Sequence, residues 1–272
     1  MEFFLPQRVE FDASGLSPDL LRKILLRVDL ETLVRGGSLV CRTWNEILGQ
    51  KSFWVERARL ERANLDCFPP SSIKDVPLVY SKLYYYKPFN RNLIKNHSGQ
   101  YDFEGWKIFN RGYSDRMKVE NPPVGCLPHP YLDMRHCFVT SFGLSEKTII
   151  IDFEELGVDG FIMDHRPHIT VSEWNTHRAD CAAEYILEVH LLDEDSEEFD
   201  EEGTVFRFER RMEQWGDLEW QEVKHVFTNY PQGVRRIRMS SYGQDNQFWK
   251  GHYGSKMAHA SIRLEFEFDG KV

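Results

Sequence analysis

The residues best placed to do chemistry lie near the C-terminus, in Gly243-Gln244-Asp245-Asn246-Gln247-Phe248-Trp249-Lys250-Gly251. Two large aromatics stand side by side among amides, a carboxylate, a lysine and two bounding glycines. Glycines at both ends favour tight turns, which predicts that Phe248 and Trp249 project from a loop rather than alternate across a strand. An exposed aromatic pair either packs inward as the plug of a core or meets a ligand. The elements that carry the loop decide between these two.

Bulk properties narrow the choices. The net charge of −9 argues against a general nucleic-acid-binding role, because phosphate contacts need clustered Lys and Arg. Aromatic residues make up 14% of the chain, which fits a β-rich core where rings pack on pleated surfaces. No apolar run approaches the roughly 18–20 residues needed to span a bilayer. The segment Met1 to Glu10 carries Glu2, Arg8 and Glu10 and is not expected to act as a signal peptide. Cys41, Cys67, Cys126, Cys137 and Cys181 are few, odd in number and without CxxC spacing, which suits reduced thiols in a cytoplasmic protein. Asn96-His97-Ser98 matches a glycosylation acceptor, but a chain outside the secretory pathway would not be modified there.

The chain changes character once. From about 16 to 63 it reads as short helices. Leu20, Leu21, Ile24, Leu25 and Val28 recur at helical spacing behind a Ser17-Pro18-Asp19 start signal. Asp29 is expected to cap a second helix through Leu33 and Val34, ended by Gly36-Gly37. A third helix would begin near Ser38 and carry Trp44, and a fourth is marked by Phe53, Trp54 and Leu60. So small a piece buries little surface and leans on a partner or a neighbouring domain. Cys67 to Pro77 reads as a linker edge, Leu78 to Asn90 as a segment tying the two parts together, and Asn110 to Tyr131 as loops.

From about 145 onward the pattern is that of strands: Thr148 to Phe153, His168 to Trp174, Glu184 to Leu192, Val205 to Phe208, Trp220 to Tyr230, Val234 to Met239 and Ser261 to Phe268. Repeated strands between turn signals predict an antiparallel β-sandwich, and so an α+β multidomain chain. The acidic run from Asp193 to Glu202 reads as a solvated loop between strands, with acidic docking or metal binding as the alternative.

The helical segment resembles the F-box. Leu16-Ser17-Pro18-Asp19-Leu20-Leu21, Ile24-Leu25, Leu39-Val40-Cys41-Arg42-Thr43-Trp44 and Phe53-Trp54 match that motif in order and spacing, with Ser17 inserted where many members have Leu-Pro adjacent. The rest is similar to the F-box-associated domain of the sugar-recognising F-box proteins. That likeness rests on Arg91-Asn92-Leu93-Ile94-Lys95-Asn96, Gly105-Trp106, Ser141-Phe142, Trp174 with Arg178 and Asp180, Phe227-Thr228-Asn229-Tyr230, Gly233-Val234-Arg235, and Gly243-Gln244-Asp245 running into Trp249-Lys250-Gly251 and Gly254.

The resemblance implies an N-terminal tail at 1–12, an F-box at 13–63, a linker at 64–90 and an associated domain at 91–270 with a jelly-roll-like, galactose-binding-like sandwich. It also implies docking on a Skp-type adaptor, and through it a cullin, by way of Leu16, Pro18, Leu20, Leu21, Ile24, Leu25, Leu39, Val40 and Trp44. Family members bind the chitobiose core of high-mannose N-glycans at one end of the sandwich. The matching positions are Phe142, Asp180, Phe248, Trp249 and Lys250.

The chemistry fits those residue types. An indole covers the flat C–H face of an N-acetylglucosamine, while Asp180 accepts and Lys250 donates hydrogen bonds. Phe248 stands where glycan-binding members tend to have Tyr, which removes one hydrogen bond worth about 0.5–1.5 kcal/mol. The loop Val124-Gly125-Cys126-Leu127 also lacks a polar residue for sugar. The implied role is a substrate adaptor for N-glycosylated proteins in endoplasmic-reticulum-associated degradation, with no cofactor and no catalysis of its own.

Two other readings stay open. In one, the sandwich loops recognise a peptide or protein surface. In the other, Asp180 and Asp245 form the carboxylate pair of a glycosidase, although nothing pairs them beyond their loop positions. The sequence has no phosphate loop, metal triad or nucleophile motif. His129, His136, His165, His168 and His177 are scattered and read as solvated or core histidines.

Overall fold

The computed structural model describes residues 15–69, 80–110, 115–195 and 201–266. The tail at 1–12, most of the Pro-rich linker edge, the centre of the acidic run and the last predicted strand residues, Glu267 and Phe268, lie outside the described residues. The chain forms two compact units that divide between Lys87 and Pro88.

The first unit is helical: α1 (Pro18–Leu25), α2 (Leu30–Thr32), α3 (Ser38–Val40), α4 (Arg42–Leu48), α5 (Lys51–Glu61) and α6 (Tyr80–Tyr86). The Ser17 hydroxyl accepts the Leu20 N–H, and Pro18 sits in the first turn where its missing donor costs nothing. Asp29 caps α2 by accepting the Thr32 N–H at 2.8 Å. The expected stop at Gly36-Gly37 does not occur. The chain continues through wide π-type turns over Leu33–Gly37 straight into α3, and the break comes at Cys41, which is fully extended. Gly37 serves packing instead, because a Cβ there would lie 2.7 Å from Leu48 Cδ1.

Phe53 and Trp54 are fully buried, and the Trp54 indole donates to the Leu48 carbonyl at 2.7 Å. The segment around Tyr80–Tyr86 joins this unit as α6: Tyr84 packs against Trp54 and donates to Glu61 at 2.5 Å. Burial raises the Tyr84 phenol's pKa, and the hydrogen bond to the Glu61 carboxylate raises it further.

The second unit is a sandwich of two antiparallel five-stranded sheets. Its strands are β1 (Lys107–Asn110), β2 (Lys118–Glu120), β3 (Cys137–Val139), β4 (Ser145–Asp152), β5 (His168–Thr176), β6 (Ala183–Leu192), β7 (Val205–Met212), β8 (Gln221–Phe227), β9 (Arg236–Asp245) and β10 (Lys256–Glu265). One sheet runs β1-β4-β9-β6-β7 and the other β2-β3-β10-β5-β8. A short helix, α7 (Gly160–Asp164), follows β4, capped by Asp159.

Alternation along β6 buries Tyr185, Leu187, Val189 and Leu191 on the inner face, as its period of two requires. The core also holds charge. Fully buried Lys147 of β4 donates to Glu173 of β5 at 2.6 Å, and the Tyr185 hydroxyl donates to the same carboxylate at 2.7 Å. The Lys147 ammonium stands 3.7 Å from the Trp106 ring centroid. Burial lowers the lysine's pKa and raises the tyrosine's. The network joins the two sheets across the core.

Two strand expectations change. β9 continues through Gly243, Gln244 and Asp245, so the loop begins at Asn246. Gly243 is not a turn residue. A Cβ there would collide with Ser255 Oγ, and glycine lets the chain approach closely. β10 begins at Lys256 rather than Ser261, because a bulge at His259 (φ 52°) between Ala258 and Ser261 breaks the alternation a sequence pattern relies on. β1, β2 and β3 were not anticipated: at three or four residues each they carry no readable period.

Candidate functional site

Strand register assembles one end of the sandwich. Ser145 of β4 pairs with Gly243 of β9, Ala183 of β6 pairs with Asp245 of β9 and Met212 of β7, and Lys256 of β10 pairs with Thr176 of β5 and Val139 of β3. The connections 140–144, 177–182, 213–220 and 246–255 therefore all leave the sheets at the same end. They carry every sandwich residue singled out from the sequence for sugar contact: Phe142, Asp180, Phe248, Trp249 and Lys250.

Backbone hydrogen bonds stitch these connections together. The Asp245 N–H donates to Ser141 O at 2.9 Å, and the Ser141 hydroxyl donates to Gly251 O at 2.7 Å. The Gln247 side-chain carbonyl accepts the Ala182 N–H at 2.8 Å, and the Asn246 N–H donates to Ala182 O at 2.9 Å. The loops are thus held by the protein before any ligand arrives, which removes part of the ordering cost of binding.

Trp249 is 42% exposed and meets Tyr253 edge to face, with ring centroids 5.7 Å apart. The Tyr253 ring in turn lies 4.6 Å from the Arg178 guanidinium carbon. Arg178 grips Asp180 with two hydrogen bonds, Nε to Oδ1 at 2.7 Å and Nη2 to Oδ2 at 3.2 Å. That pairing holds the Asp180 carboxyl below the usual range, so it is ionised and purely an acceptor. Each carboxylate oxygen keeps a free lone pair after bonding Arg178. Lys250 is exposed beside Trp249, and Phe142 is half-buried. Phe248 is 75% exposed, with φ of 57°, a conformation costly for a bulky side chain.

Asp245 has a different role from Asp180. It is fully buried, and its Oδ1 accepts from the backbone N–H groups of Gln247 at 3.0 Å and Trp249 at 3.4 Å. Its Oδ2 has no partner among the described residues. Burial raises its pKa, while the backbone N–H groups of Phe248, Trp249 and Gln247 pull the other way. A carboxylate spent on shaping its own loop is not one wall of an open cleft, which removes the geometric basis for pairing it with Asp180 in hydrolysis.

In the helical unit the residues singled out divide by burial. Leu21 and Leu25 belong to the core and are out of a partner's reach while the unit is folded. Leu20, Ile24, Leu39 and Val40 are exposed, Leu39 at 83%. Pro18 is exposed as well, whereas Leu16 and Trp44 are half-buried. Among the described residues no helix is long and apolar enough to cross a membrane, and no His/Cys/Asp/Glu cluster forms a metal site.

The family model of the F-box associated region matches residues 84–264. The chain belongs to the F-box-associated family. F-box only protein 6 of Mus musculus is 33% identical over 254 residues, covering 91% of this chain and 81% of that protein. F-box only protein 27 of Mus musculus is 32% identical over 94% of this chain and 92% of its own length. F-box only protein 17 of Homo sapiens is 30% identical over 96% and 95%.

Within this F-box-associated domain, sequence reasoning missed what three residues, Tyr253, Arg178 and Gly125, do for the site. Tyr253 backs the indole and Arg178 fixes Asp180. Gly125, at φ of 73°, leaves room for the Arg178 stem, since a Cβ there would come within 2.7 Å of Arg178 Cγ. The sequence offered Gly125 as a position lacking a polar side chain, and the structure gives the reason.

Proposed function

We propose that the protein is the substrate-recognition subunit of a cullin-based ubiquitin ligase, holding N-glycosylated proteins by the chitobiose core of a high-mannose glycan. The observation that carries this reading is the Trp249 indole, half exposed and braced by Tyr253, whose ring meets the Arg178 that keeps the Asp180 carboxylate ionised. The indole offers apolar area to the C–H face of an N-acetylglucosamine. Asp180 and Lys250 offer an acceptor and a donor to its hydroxyl and acetamide groups.

The segment 13–63 is read as the F-box, the following residues through 90 as the linker and 91–270 as the glycan-binding domain. In the sandwich most hydrogen-bonded neighbours are non-consecutive in sequence, which supports a jelly-roll-like assignment. Leu20, Ile24, Leu39 and Val40 would dock the Skp-type adaptor. The alignment with F-box only protein 6 covers 91% of this chain and so reaches well into the helical unit, which supports that reading. The adaptor role needs no bond-making residue, because tethering raises the local concentration of substrate lysines near a ubiquitin-charged enzyme. Such substrates meet the cytoplasm after export of misfolded glycoproteins from the endoplasmic reticulum, so clearance there is the expected role.

Calorimetry of the full-length protein with chitobiose tests this. Binding is expected for the wild type and loss of it for Trp249→Ala, with an unchanged melting temperature. Affinity that survives the substitution would sink the assignment.

One observation favours a second reading, a polypeptide surface in place of the glycan. Phe248 is a fully apolar exposed ring, and a cavity of about 330 Å³ lined by Pro122, Cys126, Leu127, His129, Leu132 and Trp220 lies in the same unit. A deglycosylated substrate bound as tightly as the glycosylated one would favour it.

A further inference from the structure

Trp215 lies outside the set of residues that the site above uses, yet it is built as they are. It is 72% exposed, an expensive position for an indole. Among the described Phe, Tyr and Trp residues, only Trp215 (φ 63°) and Phe248 (φ 57°) hold a positive φ. Both stand in connections at the same end of the sandwich. Strain of this kind persists only where the surroundings over-determine it.

The surroundings of Trp215 do so. Its backbone N–H donates to Ala179 O at 2.8 Å, and the Gln214 side-chain amide donates to Asp180 O at 2.8 Å. The Gly216 N–H closes the turn on Glu213 O at 3.0 Å. Fully buried His177 places one ring nitrogen 2.9 Å from Cys181 O and the other 3.1 Å from Asp217 O, bridging the Asp180 connection to the Trp215 turn. Thr176 adds a hydrogen bond to Leu218 O at 3.0 Å. The ring is exposed on a fixed turn, not on a loose one.

Its position follows from register. β6 lies between β9 and β7, and Ala183 pairs with Asp245 on one side and Met212 on the other. The connections bearing Trp249 and Trp215 therefore leave the sheet on opposite sides of the Asp180 connection, at bases about 10 Å apart, two strand spacings. Each is hydrogen-bonded to that connection, at Ala182 and at Ala179 respectively.

We propose that Trp215 is a second carbohydrate-stacking residue, taking the C–H face of a further sugar of the same glycan, beyond the chitobiose seated on Trp249. This rests on the glycan reading above. The occupant is a sugar rather than an apolar side chain because the connection between the two that bear the indoles carries the Asp180 carboxylate, an acceptor suited to hydroxyl groups and costly to bury against hydrocarbon.

The test compares two probes, chitobiose and a high-mannose N-glycan that contains it, by calorimetry on the full-length protein. Trp215→Gly removes the ring and suits the positive φ, so the turn is retained. Trp215→Phe restores a stacking face. Trp215→Gly is expected to bind chitobiose within twofold of the wild type and the longer glycan about tenfold more weakly, with Trp215→Phe recovering most of that loss.

Wild-type affinity of Trp215→Gly for the longer glycan, in a protein whose Trp249→Ala variant has lost it, overturns the second platform and leaves the glycan reading standing. An equal loss on both probes also overturns it, by making Trp215 part of the chitobiose seat. Weakened binding of a glycoprotein with unchanged binding of its free glycan overturns the sugar in favour of polypeptide. A wild type that binds neither probe removes the glycan reading and this proposal together.

Discussion

The helical unit and the sandwich expose apolar side chains for opposite reasons. In α1 and α3, Leu20, Ile24, Leu39 and Val40 lie on the surface because a handful of short helices cannot cover all of their apolar residues. The sandwich has interior to spare and buries even Lys147, Glu173 and Lys256. Its exposed rings at the loop end, Trp215, Phe248 and Trp249, stand on turns whose backbone is tied down by named hydrogen bonds. An exposed leucine on a small helical unit reports unsatisfied area. An exposed aromatic at positive φ on a stitched turn reports a position the fold maintains at a cost.

The largest expected effect would break the sandwich side of this contrast. Glu173→Ala strips Lys147 of its carboxylate and leaves an uncompensated buried charge, with an expected stability loss of about 3–5 kcal/mol in chemical denaturation. A loss below 1 kcal/mol would mean that the charge is not held by that pair. In the helical unit, Leu21→Ala is expected to cost about 2–5 kcal/mol, because Leu21 is core.

Leu39→Glu sharpens the comparison. At an exposed position it is expected to change stability by no more than about 0.5 kcal/mol, yet to abolish capture of a Skp-type adaptor in a pull-down while sugar binding persists. Loss of both activities together would make the two units one cooperative whole.

The smallest effect concerns the two aspartates. Asp180 has a lowered pKa in the fold, so its contribution to stability is present above the unfolded value near 3.9 and is lost as pH falls through the folded one. Asp245 has a raised pKa, so its contribution is present below that unfolded value and is lost as pH rises through the folded one. Melting curves between about pH 3 and pH 7 should therefore lose their high-pH decline in Asp245→Asn and their low-pH decline in Asp180→Asn. The same decline in both variants would refute the distinction.

Much of this was legible in the chain itself. Ser17-Pro18-Asp19 and Asp29 marked helix starts because capping is local chemistry, decided within three residues. β6 and β7 were readable because burial of one face imposes a period of two. The site residues were legible as types: an indole, a carboxylate and a lysine near glycines suggest stacking and hydrogen bonding without any coordinates.

What the sequence left open depended on groups distant along the chain. Gly37 and Gly243 read as turn residues, yet each is glycine because a side chain from elsewhere, Leu48 or Ser255, occupies the space a Cβ would need. Asp180 and Asp245 are the same residue type on neighbouring loops. Only Arg178 beside one and burial of the other made the first a half-buried, ionised acceptor and the second a cap for its own loop. Trp215 carried no signal at all, because its place opposite Trp249 follows from β6 lying between β7 and β9. Local patterns fixed which elements form and which side chains they offer. Strand order and register, which join residues far apart in sequence, decided which of those side chains meet.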